Sequence, residues 1–365
     1  MSGPVLTETR TSRRFAYIDW ARGLAVLLMI EAHTVDAWTR IPARQGVVYR
    51  DAIVLGGFAA PLFLWLAGVG VALAAAAGVR RGRSRAEAAA TVCRRGLEIF
   101  ILAFLFRLQA FIISPGGHPI TLFRVDILNI MGPAIVVAGL VWLLVESPLA
   151  LATLYGCLTA AIAMTAPLVR TMTAIDSLPI WMQWYLRPAA EHTTFTAFPW
   201  AGFVFAGAAL GVLLANARQR RGEFHAGVAL SGAALAGMGA YTASLPALYA
   251  QTNFWTSSPT YFAIRVGVMM VAFAALYAAE QAASRAGMGF TALERFGRRS
   301  LFVYWIHVEL VYGYATWPLR RRLPLWGVGV AFLVFTALLY GAVVLFERWR
   351  LARPQMTLHG KVQPV

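Results

Sequence analysis

Apolar residues along this chain are gathered in runs of roughly 20 that recur from one end to the other, with short polar segments between them. Runs such as 61–77 and 127–145 are long enough to cross the ~30 Å hydrocarbon core of a bilayer as helices. The pattern predicts an all-α fold, a polytopic bundle of about ten transmembrane helices. The predicted spans are roughly 17–38, 52–78, 93–113, 125–145, 148–168, 197–216, 226–249, 260–281, 299–317 and 325–347.

Composition supports the membrane assignment. Of the 365 residues, 59% are hydrophobic and 13% are charged, whereas a soluble domain carries about 25% charged residues. The first apolar run contains Arg22 and Glu31 and no A-x-A site follows it, so we predict that it is not a cleavable signal peptide. The only cysteines, Cys93 and Cys157, lack metal-ligand spacing, and we predict no metal site.

The positive charge is distributed in alternate loops. Basic residues cluster before span 1, around the 2–3, 6–7 and 8–9 loops, and after span 10. By the positive-inside rule these segments are cytoplasmic, which predicts a multi-pass inner (plasma) membrane protein with both termini in the cytoplasm. Topology then explains the net charge of +16 without nucleic-acid binding. One cluster, Arg320–Arg322, falls on the outer side and disagrees with the rule. Either these arginines bind something anionic there, or one span is miscounted.

These assignments divide the chain into three segments. Residues 1–15 are a predicted cytoplasmic N-terminal tail, residues 16–349 the transmembrane domain, and residues 350–365 a cytoplasmic C-terminal tail. The sequence leaves open whether the protein forms a homo-oligomer.

Span 1 carries charged residues where charge costs about 2.5–3.5 kcal/mol on insertion scales. Arg22 and His33 are 11 residues apart, which at 100° per residue places them on one face, ~16 Å apart along the axis. Asp36 lies one turn beyond His33 and could orient its ring. The alternative is that Arg22 pairs with Asp19 at the interface and that His33 is an ordinary interfacial histidine.

Later spans add further candidates. Asp126 and Asn129 share a face at the start of span 4, on the same outer side as His33. His307 lies in span 9, three residues after Tyr304, and is a further candidate catalytic residue. The alternative is that it forms a buried brace between helices. Two outer-loop aromatics, Trp184 and Trp255, could stack on a sugar ring or belong to an interfacial aromatic belt.

Several segments together resemble a known family. The chain is similar to the heparan-alpha-glucosaminide N-acetyltransferase catalytic-domain family and, in the spacing of Arg22 and His33, to the related acyltransferase-3 sugar O-acylases. The resemblance extends from about residue 14 to residue 312. Its motifs are Ile18-Asp19…Arg22-Gly23-Leu24-Ala25…His33, Ala60-Pro61-Leu62-Phe63-Leu64-Trp65, Phe198-Pro199-Trp200-Ala201-Gly202 and Gly297-Arg298-Arg299-Ser300…Tyr304…His307.

The resemblance implies transfer of an acyl group, most simply acetyl, from acyl-CoA to a sugar hydroxyl or amine of an envelope or extracellular glycan. Acetyl-CoA would be a co-substrate, with no tightly bound cofactor. It implies that His33 is the general base or a transient acyl carrier, and that Arg22, with Arg94 and Arg95, contacts the donor phosphates. Histidine suits this chemistry because its pKa lies near neutrality; Asn129 or Tyr304 could donate to the oxyanion.

Two other classes of function remain open from the sequence. Intramembrane Asp19, Glu98, Arg107, His307 and Glu309 would also suit a proton-coupled transporter or lipid flippase, although no inverted repeat is evident. A sensor or scaffold that keeps the fold without catalysis is the third class, and the presence of His33 argues against it.

Overall fold

The protein is described by a computed structural model that covers residues 15–113, 118–217 and 219–352. This part of the chain contains α-helices and short 3-10 turns but no strand. The predicted all-α polytopic bundle is therefore confirmed. The predicted terminal tails lie almost wholly outside the described residues.

Thirteen α-helices follow one another in the described residues. They are α1 Ala16–Trp38, α2 Val47–Gly56, α3 Ala59–Arg80, α4 Arg85–Ile113, α5 Ile127–Leu144, α6 Pro148–Thr171, α7 Ile180–Leu186, α8 Ala197–Asn216, α9 Arg221–Ala243, α10 Pro259–Arg285, α11 Thr291–Arg298, α12 Ser300–Tyr312 and α13 Leu325–Ala352.

Eight stretches of the described helices are long and apolar enough to cross a membrane: α2 with α3, then α4, α5, α6, α8, α9, α10 and α13. The first and ninth predicted spans correspond to α1 and α12. Helix α1 is 23 residues long but carries several charges, and α12 has only 13 residues. Both pack inside the bundle, where charged and polar side chains find protein partners rather than lipid.

Two of the predicted spans are not continuous α-helices in the structure. The second is broken into α2 and α3 at Gly57–Phe58. A side chain at Gly56 would collide with Glu31 and Ala32 of α1, so the glycine allows the break to lie directly against α1. The ninth ends at Gly313, and a 3-10 turn, Tyr314–Leu319, replaces its last predicted turns.

Helix α1 is the central element of the bundle. It is buried over most of its length and contacts α2, α3, α10, α11, α12 and α13. Two close approaches fix the helices around it. At Gly68 of α3 a Cβ atom would collide with the backbone of α8, and at Gly297 of α11 it would collide with the backbone of Asp19. Only glycine allows these contacts.

Candidate functional site

An internal cavity of about 830 Å³ lies beside α1. Its walls come from α1, α3, α4, α5, α8, α10 and α12, with the end of α2, the residues just before α5 and α8, and Arg320 after α12. The cavity has two ends. At one of them, three of these helices finish (α1, α4 and α12) and four others begin (α3, α5, α8 and α10). We call this the Asp36 end, and the opposite end, lined by Arg22, Arg95 and Ser300, the Arg22 end.

Arg22 and His33 both line this cavity, as their shared helical face predicts. Arg22 donates to Asp19 at 2.7 Å within α1, and Asp19 also contacts Arg298 of α11 at 3.5 Å. The ion pair holds Arg22 at one end of the cavity. His33, three turns later on the helix, lies toward the Asp36 end.

His33 is hydrogen-bonded to His307. Nδ1 of His33 and Nε2 of His307 are 2.9 Å apart, and the two rings are parallel within 3°, with centroids 5.0 Å apart. His307 is fully buried, and its Nδ1 lies 2.9 Å from the Val303 carbonyl and 3.0 Å from that of Tyr304. His33 therefore faces the cavity while His307 supports it from behind.

Asp36 lies next to this pair. Its carboxylate accepts a hydrogen bond from the Tyr312 hydroxyl at 2.9 Å and lies 3.8 Å from Arg44. The Tyr312 ring packs edge-on against His33 at 5.5 Å. Asp36 therefore reaches His33 through Tyr312, because no direct hydrogen bond joins the two side chains within the described chain.

Asp126 and Asn129 take structural roles at the start of α5. Asp126 caps the helix, and the Asn129 carboxamide accepts from the Asp126 backbone N–H at 2.9 Å, which completes a capping box. Asp126 also pairs with Arg107 of α4, and both side chains are 14% exposed. Asp126 lines the cavity, whereas Asn129 is buried outside the lining.

The other amide contact of Asn129 leads into the loop before α8. Its nitrogen lies 3.4 Å from the hydroxyl of Tyr185. Burial raises the pKa of Tyr185 above its ordinary value, and the hydrogen bond from Asn129 opposes this shift only in part. The phenol is therefore a neutral partner that anchors this loop against α5.

Three residues predicted from the sequence lie away from the cavity. Arg94 is exposed beside a surface groove with Arg83 and Glu87. Trp184 is buried and stacks on His192 at 4.6 Å. Trp255 is 48% exposed and packs edge-on against Phe254 and Tyr261. Their functional roles stay predictions.

Sequence reasoning missed several residues that line the cavity: Arg124, Trp200, Arg265 and Tyr312. Arg320, which the loop charges had singled out, lines it too. Arg265 carried a usable signal, because an arginine inside the apolar run 260–281 is expected to face protein rather than lipid. Among the described residues, no group of three or more His, Cys, Asp and Glu side chains could hold a metal ion.

The fold and this cavity define a multi-pass membrane protein with a histidine pair at the centre of an internal site. The sequence profile of the family described as heparan-alpha-glucosaminide N-acetyltransferase, catalytic, matches residues 14–249. The match covers more than half of the chain, which belongs to this family. Membership implies an acetyltransferase. A comparison with curated proteins gave no match. Arg265 and Tyr312, which line the cavity, and His307, which supports His33, lie beyond the matched residues.

Proposed function

We propose that this protein transfers an acetyl group from acetyl-CoA to an amine or hydroxyl of a glycan, with His33 as the reacting side chain. The observation that carries the proposal is the hydrogen bond between His33 and His307 in the wall of a large internal cavity. The buried partner fixes the orientation of the exposed ring, as buried partners do for reactive histidines elsewhere.

The contacts of His307 also determine the tautomer of His33. A carbonyl oxygen can only accept, so Nδ1 of His307, which faces two carbonyls, carries the hydrogen. Nε2 of a neutral His307 is then an acceptor, and it receives the hydrogen on Nδ1 of His33. Nε2 of His33 is left with its lone pair. This nitrogen is the basic atom that the site offers to a substrate.

In the proposed reaction, Nε2 of His33 accepts the proton of the acceptor amine or hydroxyl as the acceptor attacks the thioester carbonyl. The carbon–sulfur bond breaks, and the departing thiolate takes the proton from Nε2. Tyr304, which lines the cavity, would donate its hydroxyl hydrogen to the developing oxyanion. In the alternative, covalent route the same nitrogen attacks the thioester and the carbon–sulfur bond breaks to release the thiolate. The acceptor then takes the acetyl group from Nε2 in a second transfer and gives its proton to the thiolate.

The donor nucleotide is assigned to the Arg22 end. Arg22 and Arg95 line that end, and guanidinium groups bind phosphates through paired hydrogen bonds. Since Arg22 and His33 are ~16 Å apart along α1, an extended thioester arm is needed to bring the acetyl group from the phosphates to His33. With the cytoplasmic N-terminus predicted by the loop charges, the donor enters from the cytoplasm and the acceptor from the outer face.

The experiment that tests this proposal is comparative mass spectrometry of envelope glycans from cells with and without the gene. We expect an increment of 42 Da, one acetyl group replacing hydrogen, on one class of glycan only in cells that contain the protein. A complementing copy carrying His33→Ala should fail to restore it, and a copy carrying His118→Ala should succeed. Identical glycan masses in all strains would contradict the proposal.

A further inference from the structure

The Asp36 end of the cavity is lined by more arginines than carboxylates. Four guanidinium groups line it, and the carboxylates there belong to Asp36, Asp126 and Glu309. The four arginines are Arg107, Arg124, Arg265 and Arg320. Arg107 pairs with Asp126, whereas no ion pair of the other three arginines with a carboxylate is found among the described residues. Three positive charges therefore face the cavity without an acidic partner in the described chain.

Arg265 is the most informative of the three. It lies six residues into α10, ~9 Å from the helix start, and its guanidinium stacks on the Tyr261 ring at 4.1 Å and approaches the Trp200 ring at 5.7 Å. Its Nε is buried without a hydrogen-bond partner in the described structure. The aromatic rings hold the planar group in place, and its Nε donor stays available to a ligand.

Arg124 and Arg320 approach the same end from two different segments. Nε of Arg124 donates to the Thr194 hydroxyl at 3.1 Å, which joins the residues before α5 to those before α8. Arg320 stacks on Trp317 at 4.7 Å in the turn after α12. Arg320 belongs to the cluster that disagrees with the positive-inside rule, and a ligand-binding role explains an arginine on that side.

An unpaired guanidinium inside a membrane domain costs free energy, so its retention indicates a bound anion. The paired arginines of this protein provide the contrast, since Arg22 and Arg107 each bind a carboxylate of the chain. Arg265 shares their intramembrane position but not their partner. The missing partner is expected to be an oxyanion that arrives with a substrate.

We propose that Arg265, with Arg124 and Arg320, forms a second anion-binding site at the Asp36 end, which binds a carboxylate or phosphate group of the acceptor. The inference rests on the proposed function for its assignment to the acceptor. The anion site itself is defined by the geometry alone. It makes the acceptor an acidic saccharide whose anionic group lies in the same cavity as the amine or hydroxyl that meets His33.

The test is ligand-observed saturation-transfer NMR on the full-length protein in lipid nanodiscs, with D-glucuronate and inorganic phosphate as anionic probes and D-glucose as the neutral probe. We expect both anions to bind at least about tenfold more tightly than glucose. Arg265→Gln should abolish this preference, and Arg265→Lys should restore part of it because charge is kept while the planar fork is lost.

A matched control is Arg170→Gln, which removes a half-buried arginine that bonds Thr256 outside the cavity; it should leave the preference unchanged. His33→Ala should also leave anion binding unchanged while abolishing acetyl transfer, so failure of the anion site and failure of the proposed reaction are separate results. Equal binding of anions and glucose, or an unchanged preference in Arg265→Gln, would overturn the site.

Two further outcomes decide which substrate carries the anion. If the site belongs to the acceptor, a saturating concentration of coenzyme A leaves glucuronate binding intact, and Arg265→Gln leaves coenzyme A affinity within about twofold of wild type. If coenzyme A displaces glucuronate and Arg265→Gln weakens coenzyme A binding, the site serves donor phosphates and the acceptor assignment is wrong.

Discussion

The two ends of the cavity hold their charged groups in different ways. At the Arg22 end each lining arginine pairs with a carboxylate three residues away on its own helix, Arg22 with Asp19 and Arg95 with Glu98. Arg298 of α11 also contacts Asp19 there. At the Asp36 end the contacts join different helices, as His33 with His307 and Arg107 with Asp126 do.

This difference indicates that the Arg22 end binds the donor and that the Asp36 end holds the reacting side chain in position. The pair between Arg95 and Glu98 is about half exposed, and such pairs contribute little and exchange partners readily. An arginine of this kind can release its carboxylate and bind a phosphate. The contacts at the other end are partly or fully buried and cross between helices, so they fix the position of the reacting nitrogen. We therefore expect effects on kcat from the residues that position His33, and effects on KM for acetyl-CoA from the Arg22 end.

The largest effect is expected from His33→Ala. Loss of the basic Nε2 should lower kcat by about 10²–10⁴-fold, while KM for acetyl-CoA stays near wild type because the donor arginines are intact. Steady-state transfer assays on purified protein provide the measurement, with His118→Ala, a loop variant, as the matched control. A wild-type kcat in His33→Ala would show that the reaction does not depend on a side chain at the Asp36 end.

A smaller loss is expected from His307→Ala. Without Nε2 of His307, Nδ1 of His33 loses its hydrogen-bond partner and the ring loses its fixed orientation. We expect this to lower kcat about 10–100-fold. His307→Gln should recover part of this loss, since its carboxamide oxygen can stand near the position of Nε2. The pH–rate profile is the second readout: His307→Ala should shift the apparent pKa of kcat, whereas a purely structural role would lower kcat without moving it.

The sequence predicted more of α1 than of the site around it. The shared face of Arg22 and His33 follows from helical geometry alone, and both residues line the cavity. The contact between His33 and His307 joins residues 274 positions apart, and no local pattern encodes such a pairing. Likewise Asn129 looked like a free polar donor. In the structure its carbonyl oxygen accepts from the Asp126 backbone and its amide nitrogen donates to Tyr185, a residue 56 positions away.

Arg94 and Arg95 show a second limit. Neighbouring residues on a helix point ~100° apart, so a single narrow site rarely uses both, and the structure places only Arg95 in the cavity lining. The arginines that face the Asp36 end come from segments far apart in the chain. Their convergence required the packing of α8, α10 and the turn after α12.

At the Arg22 end, Arg95→Gln should raise KM for acetyl-CoA about tenfold, in line with the loss of one charge-assisted hydrogen bond, and leave kcat within about twofold. Arg81→Gln, an exposed arginine at the end of α3, is the control. Arg94→Gln tests the remaining sequence prediction, since a rise in KM equal to that of Arg95→Gln would show that the donor also reaches the exposed face. A kcat loss in Arg95→Gln with normal KM would break the division between the two ends.

The smallest effect is expected from Tyr312→Phe. This change removes only the hydrogen bond to Asp36 and keeps the ring that packs against His33. We expect a kcat loss of about 2–5-fold, corresponding to one ordinary hydrogen bond. Tyr312→Ala, which also removes the ring, should cost more. Equal losses in the two variants would show that the hydroxyl, rather than the packing, positions His33.

The central claim, that donor and acceptor enter one cavity from opposite ends, is tested most directly by the sidedness of transfer. Sealed inside-out membrane vesicles are loaded with an acceptor glycan and then given acetyl-CoA only on the outside, which is the cytoplasmic face. The account predicts acetylated glycan inside intact vesicles, at a rate that His33→Ala abolishes. Product that forms only after detergent opens the vesicles, or only when both substrates share one side, would contradict it.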